Sequence, residues 1–207
     1  MRVLIADDHA VVRRGLKQIL LDEYGALEVG EAGDAHETLC LAREEPWDIV
    51  VLDISMPDRS GLEVLKELKQ TRPRLPVLIL TTHPEEQYAV RVLKAGAVGY
   101  MTKESAPEHL VEAVRKVTAG GRYITPTLAD LLVTQITGAE RPPHENLSDR
   151  EFQVLRLIAS GKTVGQIAEE LSLSSNTVST YRARVLEKME MKTSAELTHY
   201  AISNGLV

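Results

Sequence analysis

Four short apolar runs, each stopped by a polar side chain, constrain what this chain can fold into more than any other feature. Val3-Leu4-Ile5-Ala6 runs into Asp7-Asp8, and Ile49-Val50-Val51-Leu52 into Asp53. Val77-Leu78-Ile79-Leu80 runs into Thr81-Thr82, and Val98-Gly99-Tyr100-Met101-Thr102 into Lys103. A short continuous apolar run, unlike an alternating one, suits a strand covered by helices on both faces, which is the setting of a parallel sheet. The stretches between have helical spacing. Val11, Val12, Gly15, Leu16, Ile19 and Leu20 predict a helix from about His9 to Tyr24, and Leu62, Val64, Leu65 and Leu68 one that ends before Pro73. Glu28 to Ala32 reads as a further strand and Ala35 to Glu44 as a helix closed by Pro46. A helix from Glu85 to Ala95 is ended by Gly96, and another from near Pro107 reaches Gly120-Gly121. Five alternating strand and helix units predict an α/β fold, a doubly wound five-stranded parallel sheet.

In the flavodoxin-like strand order the first and third strands are neighbours, and the ligand site lies at that switch point beyond their carboxyl ends. Asp7, Asp8 and Asp53 then meet on one rim with the Thr81 hydroxyl and the Lys103 ammonium. Three crowded acids repel unless a cation joins them, and hard oxygen ligands favour a small divalent ion such as magnesium, held mainly by Asp8 and Asp53. A carboxylate beside such an ion can attack a phosphoryl group and become an aspartyl phosphate. Asp53 is the candidate nucleophile, with Lys103 and Thr81 placed to bind the phosphoryl oxygens.

The 207 residues suffice for two domains. Apolar content of 43% and charged content of 26% exclude a disordered or fibrous chain. A net charge of -6 gives no whole-chain sign of nucleic-acid binding, so such a site has to be local. The single cysteine, Cys40, excludes an intramolecular disulfide and a cysteine-based zinc site, and reads as a small core residue. No apolar run approaches the roughly 20 residues that span a bilayer, and the first residues enter a strand instead of a signal peptide. A cytoplasmic location and no membrane partner are expected.

Gly120-Gly121 marks a boundary, giving expected divisions at 1–121, a linker at 122–143, and a second domain at 144–207. Pro126 opens a linker helix with Leu128, Leu131, Leu132 and Ile136, and Gly138 to His144, with adjacent prolines, reads as an extended tether. Past Leu147 the strand signals vanish. Ser148-Asp149-Arg150-Glu151 has capping-box spacing, and four helices follow: Phe152 to Ile158, one from near Thr163, one capped by Ser174, and Ser194 to Asn204. The middle pair has helix-turn-helix spacing. The third helix offers Ser179, Thr180, Arg182, Ala183, Arg184 and Lys188 between its apolar positions, small residues that fit a major groove and cations that meet phosphates. From His144 onward there are seven Lys/Arg and eight acids, yet four of those cations lie between Arg182 and Lys192. One positive face on a domain without net positive charge predicts modest affinity for one copy and a dimer on two half-sites.

With these marks in place the chain resembles bacterial two-component response regulators of the NarL/FixJ class, a receiver domain followed by a LuxR-type DNA-binding domain. The receiver resemblance rests on Asp7-Asp8, Asp53 followed by Met56-Pro57, Thr81, and Tyr100 three residues before Lys103. The second half matches through Leu147 to Glu151, Gly161, Ile167-Ala168, Leu173-Ser174, Thr177-Val178, Lys188-Met189 and Ala195-Glu196-Leu197. The resemblance implies that a histidine kinase phosphorylates Asp53, with magnesium on Asp7, Asp8, Asp53 and the backbone carbonyl of Ser55. It implies that Thr81 moves to the phosphoryl group and Tyr100 turns into the space it leaves, altering dimerisation or the contact between domains. It further implies that Ser55 and His83, two residues beyond Asp53 and Thr81, occupy positions that tune phosphate lifetime. In the DNA-binding half, Ser179, Thr180 and Ala183 are implied to face bases, and Arg182, Arg184 and Lys188 phosphates or acids of the fold. Tyr181 stands where many relatives carry histidine, so base preference does not carry over. Promoter DNA, a homodimer formed on phosphorylation and RNA polymerase are the implied partners, and no activity is expected beyond the receiver's own phosphoryl transfer and autodephosphorylation.

Two other readings share part of this chemistry. A magnesium-dependent aspartyl phosphatase would use Asp53, Thr81 and Lys103, but calls for its nucleophile on the first strand in an Asp-x-Asp pattern and for a cap domain. A phosphate-independent regulator would keep the fold but calls for substitutions in the acidic pocket, where none is found.

Overall fold

The computed structural model describes residues 1–56, 59–136 and 142–207, and divides into two units, Met1–Leu131 and Leu132–Val207. In the first, strands β1 (Arg2–Ala6), β2 (Glu28–Ala32), β3 (Ile49–Leu52), β4 (Val77–Thr81) and β5 (Gly99–Thr102) alternate with helices α1 (Ala10–Tyr24), α2 (Ala35–Glu44), α3 (Gly61–Thr71), α4 (Glu85–Lys94) and α5 (Ala106–Thr118). The strands are all parallel in the order β2-β1-β3-β4-β5. Every residue of β3 and β4 is buried, as their unbroken apolar runs require. Alternation sends Val3, Ile5, Ile49, Val51, Leu78 and Leu80 to one face, where they pack with Leu16 and Leu20 of α1 and Leu110, Val114 and Val117 of α5.

The register sets the rim. Ala6 lies opposite Leu52, and the Asp53 N–H continues the ladder to the Ala6 carbonyl at 2.8 Å, so Asp7 and Asp53 leave adjacent strands side by side. Thr81 lies opposite Thr102, and the Lys103 N–H reaches the Thr81 carbonyl at 2.8 Å. Gly96 takes φ +104° just beyond α4, the left-handed conformation expected of it. The loop expected at Pro57-Asp58 lies outside the described residues. Beyond α5, the Tyr123 N–H bonds the Val98 carbonyl at 2.9 Å, placing Tyr123 beside β5, and helix α6 (Pro126–Ile136) follows.

The second unit holds α7 (Asp149–Ala159), α8 (Val164–Glu170), α9 (Ser175–Lys188) and α10 (Ser194–Ser203). The capping box at Ser148 and Glu151 forms, and Thr163 with Gln166 forms another. Phe152, Val154, Leu155, Ile167, Val178, Val185, Leu197 and Ala201 make the core. The division between units falls within α6, ten residues past the expected boundary at 121. Residues 137–141 of the expected tether lie outside the described residues, and its far end departs from an extended chain. Pro143–Asn146 form a 3-10 turn, and His144 Nδ1 lies 2.8 Å from the Tyr200 hydroxyl. Proline fixes φ in the range a helical turn needs, so two adjacent prolines did not require extension here.

Candidate functional site

The end of the sheet brings together five side chains from four strands. Asp7 and Asp53 are each 1% exposed, whereas Asp8 faces solvent. Lys103 bridges the buried pair, its Nζ 2.6 Å from Asp7 Oδ2 and 2.8 Å from Asp53 Oδ2. The other Asp53 oxygen, Oδ1, accepts the Ser55 N–H at 3.1 Å. Burial pushes the Asp53 carboxyl above its ordinary range, aided by Asp7 and opposed by Lys103 and Ser55. Burial alone would lower Lys103, but its bonds to Asp53 and Asp7 outweigh this and raise it. Gly61 permits this crowding, since a Cβ there would come within 1.9 Å of the Asp53 carbonyl oxygen.

Asp7, Asp8, Asp53 and His9 offer ligand atoms within 4.8 Å of one another. Three carboxylates against one ammonium leave an excess of negative charge, two of the acids being buried, and the donors are mainly hard oxygen. This acidic cluster is compatible with magnesium. His9 is a member that the sequence reading did not include. Its Nδ1 lies 2.7 Å from Asp8 Oδ1 and 3.4 Å from Asp7 Oδ1. The signal was only its place directly after the acid pair.

Thr81 is fully buried at the end of β4, and its hydroxyl accepts the His83 N–H at 3.4 Å. Ser55 Oγ lies 3.2 Å from His83 Nε2, which brings the two residues two places beyond Asp53 and Thr81 together. Tyr100 is fully buried, and its hydroxyl donates to the His83 carbonyl at 2.8 Å, with the Pro84 carbonyl at 3.3 Å. The ring is therefore held inside the fold, against the segment that leads into α4.

In the second unit the turn 171–174 between α8 and α9 contains Ser172 at φ 53°. Ser174 caps α9 by accepting the Thr177 N–H at 3.1 Å. Ser179, Thr180, Ala183, Arg184 and Lys188 are exposed, whereas Arg182 is half-buried. Arg184 forms no ion pair among the described residues. Lys188 Nζ lies 2.6 Å from Glu151 Oε2. That ammonium thus serves a buried acid of α7. Lys162 pairs with Glu170.

A five-stranded parallel sheet with buried acids at its switch point, followed by a four-helix unit with a helix-turn-helix, defines a phosphoacceptor domain joined to a DNA-binding one. Residues 3–115 match the response regulator receiver domain, and residues 145–201 the bacterial regulatory proteins of the luxR family. The chain belongs to the response regulators of the NarL/FixJ class. It is 38% identical to the response regulator GacA of Pseudomonas aeruginosa over all of this chain and 98% of that one. It is 37% identical to UvrY of Escherichia coli over all of this chain and 95% of that one. Among solved structures, RcsB of Salmonella enterica serovar Typhimurium, bound to the rprA promoter with the phosphomimetic beryllofluoride, is 27% identical. The TM-score is 0.65, with 98% of this chain and 99% of that chain covered. Another Salmonella typhimurium RcsB structure gives 0.69 at 27% identity, over 99% and 98%. The protein is a phosphorylation-dependent, DNA-binding transcriptional regulator of a two-component system, with a sensor kinase and promoter DNA as its partners, and not a classical enzyme. Among the described residues no helix is long and apolar enough to cross a membrane.

Proposed function

We propose that Asp53 is the phosphoacceptor of this regulator and that residues 144–207 bind promoter DNA, residues 122–143 being the linker. The observation that carries this is the pairing of two buried carboxylates with one ammonium at the switch point of the sheet. An Asp53 oxygen attacks the phosphorus of the kinase phosphohistidine; the P–O bond forms, the P–N bond breaks, and the imidazole leaves. Lys103 is placed to follow the new charge from the carboxylate to the phosphoryl oxygens, and Thr81 to donate a hydrogen bond to one of them. Asp7, Asp8, Asp53 and the Ser55 backbone carbonyl are the groups that would hold magnesium. When bound, that ion supplies further positive charge against the phosphoryl group.

Tyr100 is the partner of Thr81 in the switch, and its inward ring corresponds to the arrangement this reading assigns to the phosphorylated state. Ser55 and His83, in contact with each other two residues beyond Asp53 and Thr81, set how readily water reaches the aspartyl phosphate. Autodephosphorylation is thereby a property of the same pocket. Phosphorylation then favours a homodimer on two half-sites, with RNA polymerase a further contact, in the cytoplasm. The α9 side chains Ser179, Thr180 and Ala183 face bases, while Arg182 and Arg184 meet phosphates. Lys188 contributes to DNA binding chiefly by fixing α9 against α7.

Asp53→Asn tests the assignment. Incubated with acetyl phosphate and magnesium, the wild type is expected to gain one phosphoryl group by intact mass, and the variant none. Full labelling of a folded variant would overturn it.

A further inference from the structure

The outer face of α9 carries one ridge. Asn176, Thr180, Ala183 and Glu187 follow at i, i+4, i+7 and i+11, and all four are exposed, opposite the buried Val178 and Val185. The two ends of the ridge differ chemically. Glu187, about 16 Å along the axis from Asn176 at 1.5 Å per residue, carries a negative charge that phosphates repel. Ala183 has no polar atom. The Thr180 hydroxyl donates to the Asn176 carbonyl at 3.0 Å, so its proton is committed to the helix and only its lone pairs face outward. Asn176 is the ridge residue able both to donate and to accept. Its carboxamide makes no hydrogen bond among the described residues, and it is not used as a cap, because Ser174 holds that role.

We propose that Asn176 is a specificity-determining residue that reads an adenine in the major groove. This rests on the DNA-binding reading above and extends it to a residue outside the set expected from the sequence. In helix-turn-helix proteins the N-terminal residues of the recognition helix reach base edges, and Asn176 stands in the first turn. An asparagine carboxamide matches adenine, its oxygen accepting from N6 and its amide donating to N7. Repulsion at Glu187 favours a tilt that brings the Asn176 end deepest into the groove. Ser179, on the flank of the ridge, is then placed to one side of that contact.

The test is selection from a randomised duplex library by the whole chain, with magnesium and beryllofluoride. Wild type, Asn176→Ala, Asn176→Gln and Ser179→Ala are compared, followed by titrations on the selected and an unrelated duplex. The wild type is expected to select an A·T pair at one fixed step of each half-site. Asn176→Ala is expected to accept any base at that step, its ratio of specific to non-specific affinity falling about tenfold. Its salt slope should stay near that of the wild type, because no phosphate contact is lost. Ser179→Ala, at another base-facing position, should alter selection at a neighbouring step and keep adenine at the step assigned to Asn176. Binding of the unrelated duplex by Asn176→Ala controls for folding. Retained preference in Asn176→Ala overturns the inference, as does an equal loss on both duplexes with a shallower salt slope. A wild type that selects no sequence would instead overturn the DNA-binding reading itself.

Discussion

Asp53 is held in a form that works against the fold. Burial raises its carboxyl, and a carboxyl that binds its proton more tightly folded than unfolded loses stability as pH rises through the raised value. At neutral pH in metal-free protein the ionised group is therefore destabilising. Asp53→Asn is predicted to raise the melting temperature of the receiver unit by a few degrees in a chelating buffer. Magnesium should stabilise the wild type by mass action and the variant less, which closes the gap. A thermal-shift series with chelator and with magnesium checks both, and a variant melting below the wild type in chelator would contradict the argument. Glu151 has the opposite sign. Burial pushes it up, but Lys188 and the Ser148 N–H outweigh this and hold it low. Its contribution is present above the ordinary carboxylate range and is lost as pH falls through the lowered value. Lys188→Met is predicted to cost about 1–2 kcal/mol at pH 7, a figure discounted because Lys188 is 41% exposed. Urea unfolding should show that cost steady near neutral pH and shrinking only as pH falls below the ordinary carboxylate range. Asp7, Asp53, Thr81 and Lys103 were legible in sequence because each ends an apolar run. The Lys188–Glu151 pair was not, since a contact across 37 residues leaves no periodic trace.

At the scale of elements, the pocket connects to α6 through hydrogen bonds. Asp53 bonds the Ser55 N–H, Ser55 meets His83, and the Tyr100 hydroxyl bonds the His83 carbonyl one residue before Pro84. Glu85 opens α4, and its carboxylate accepts the Thr125 hydroxyl at 2.7 and 2.8 Å. The same hydroxyl accepts the Leu128 N–H at 3.2 Å, so Thr125 both caps α6 and ties it to α4. Thr125→Val removes both interactions while keeping the volume. It is predicted to cost the first turn of α6 about 1 kcal/mol. Hydrogen exchange should show faster exchange at Leu128 and Ala129 with the sheet unchanged, and equal protection in both proteins would refute the tie. The helices themselves were readable from apolar spacing, and the caps at Ser148 and Ser174 from residue type. The 3-10 turn at Pro143–Asn146 was hidden because adjacent prolines allow both a turn and an extended chain.

In the proposed function the whole molecule joins a unit that changes charge at Asp53 to one whose DNA affinity is expected to be weak in a single copy. The sequence disclosed both units, because continuous apolar strands give way to four amphipathic helices past Leu147. The tie between Glu85 and Thr125 within the first unit was not readable, since it joins residues 40 apart in the chain. The most direct measurement is DNA binding by the purified chain with and without beryllofluoride and magnesium, made alongside its molar mass in solution. Phosphorylation acting through dimerisation predicts that the mimic raises affinity and mass together, and that Asp53→Asn shows neither change. Unchanged affinity and mass with the mimic bound at Asp53 would contradict it.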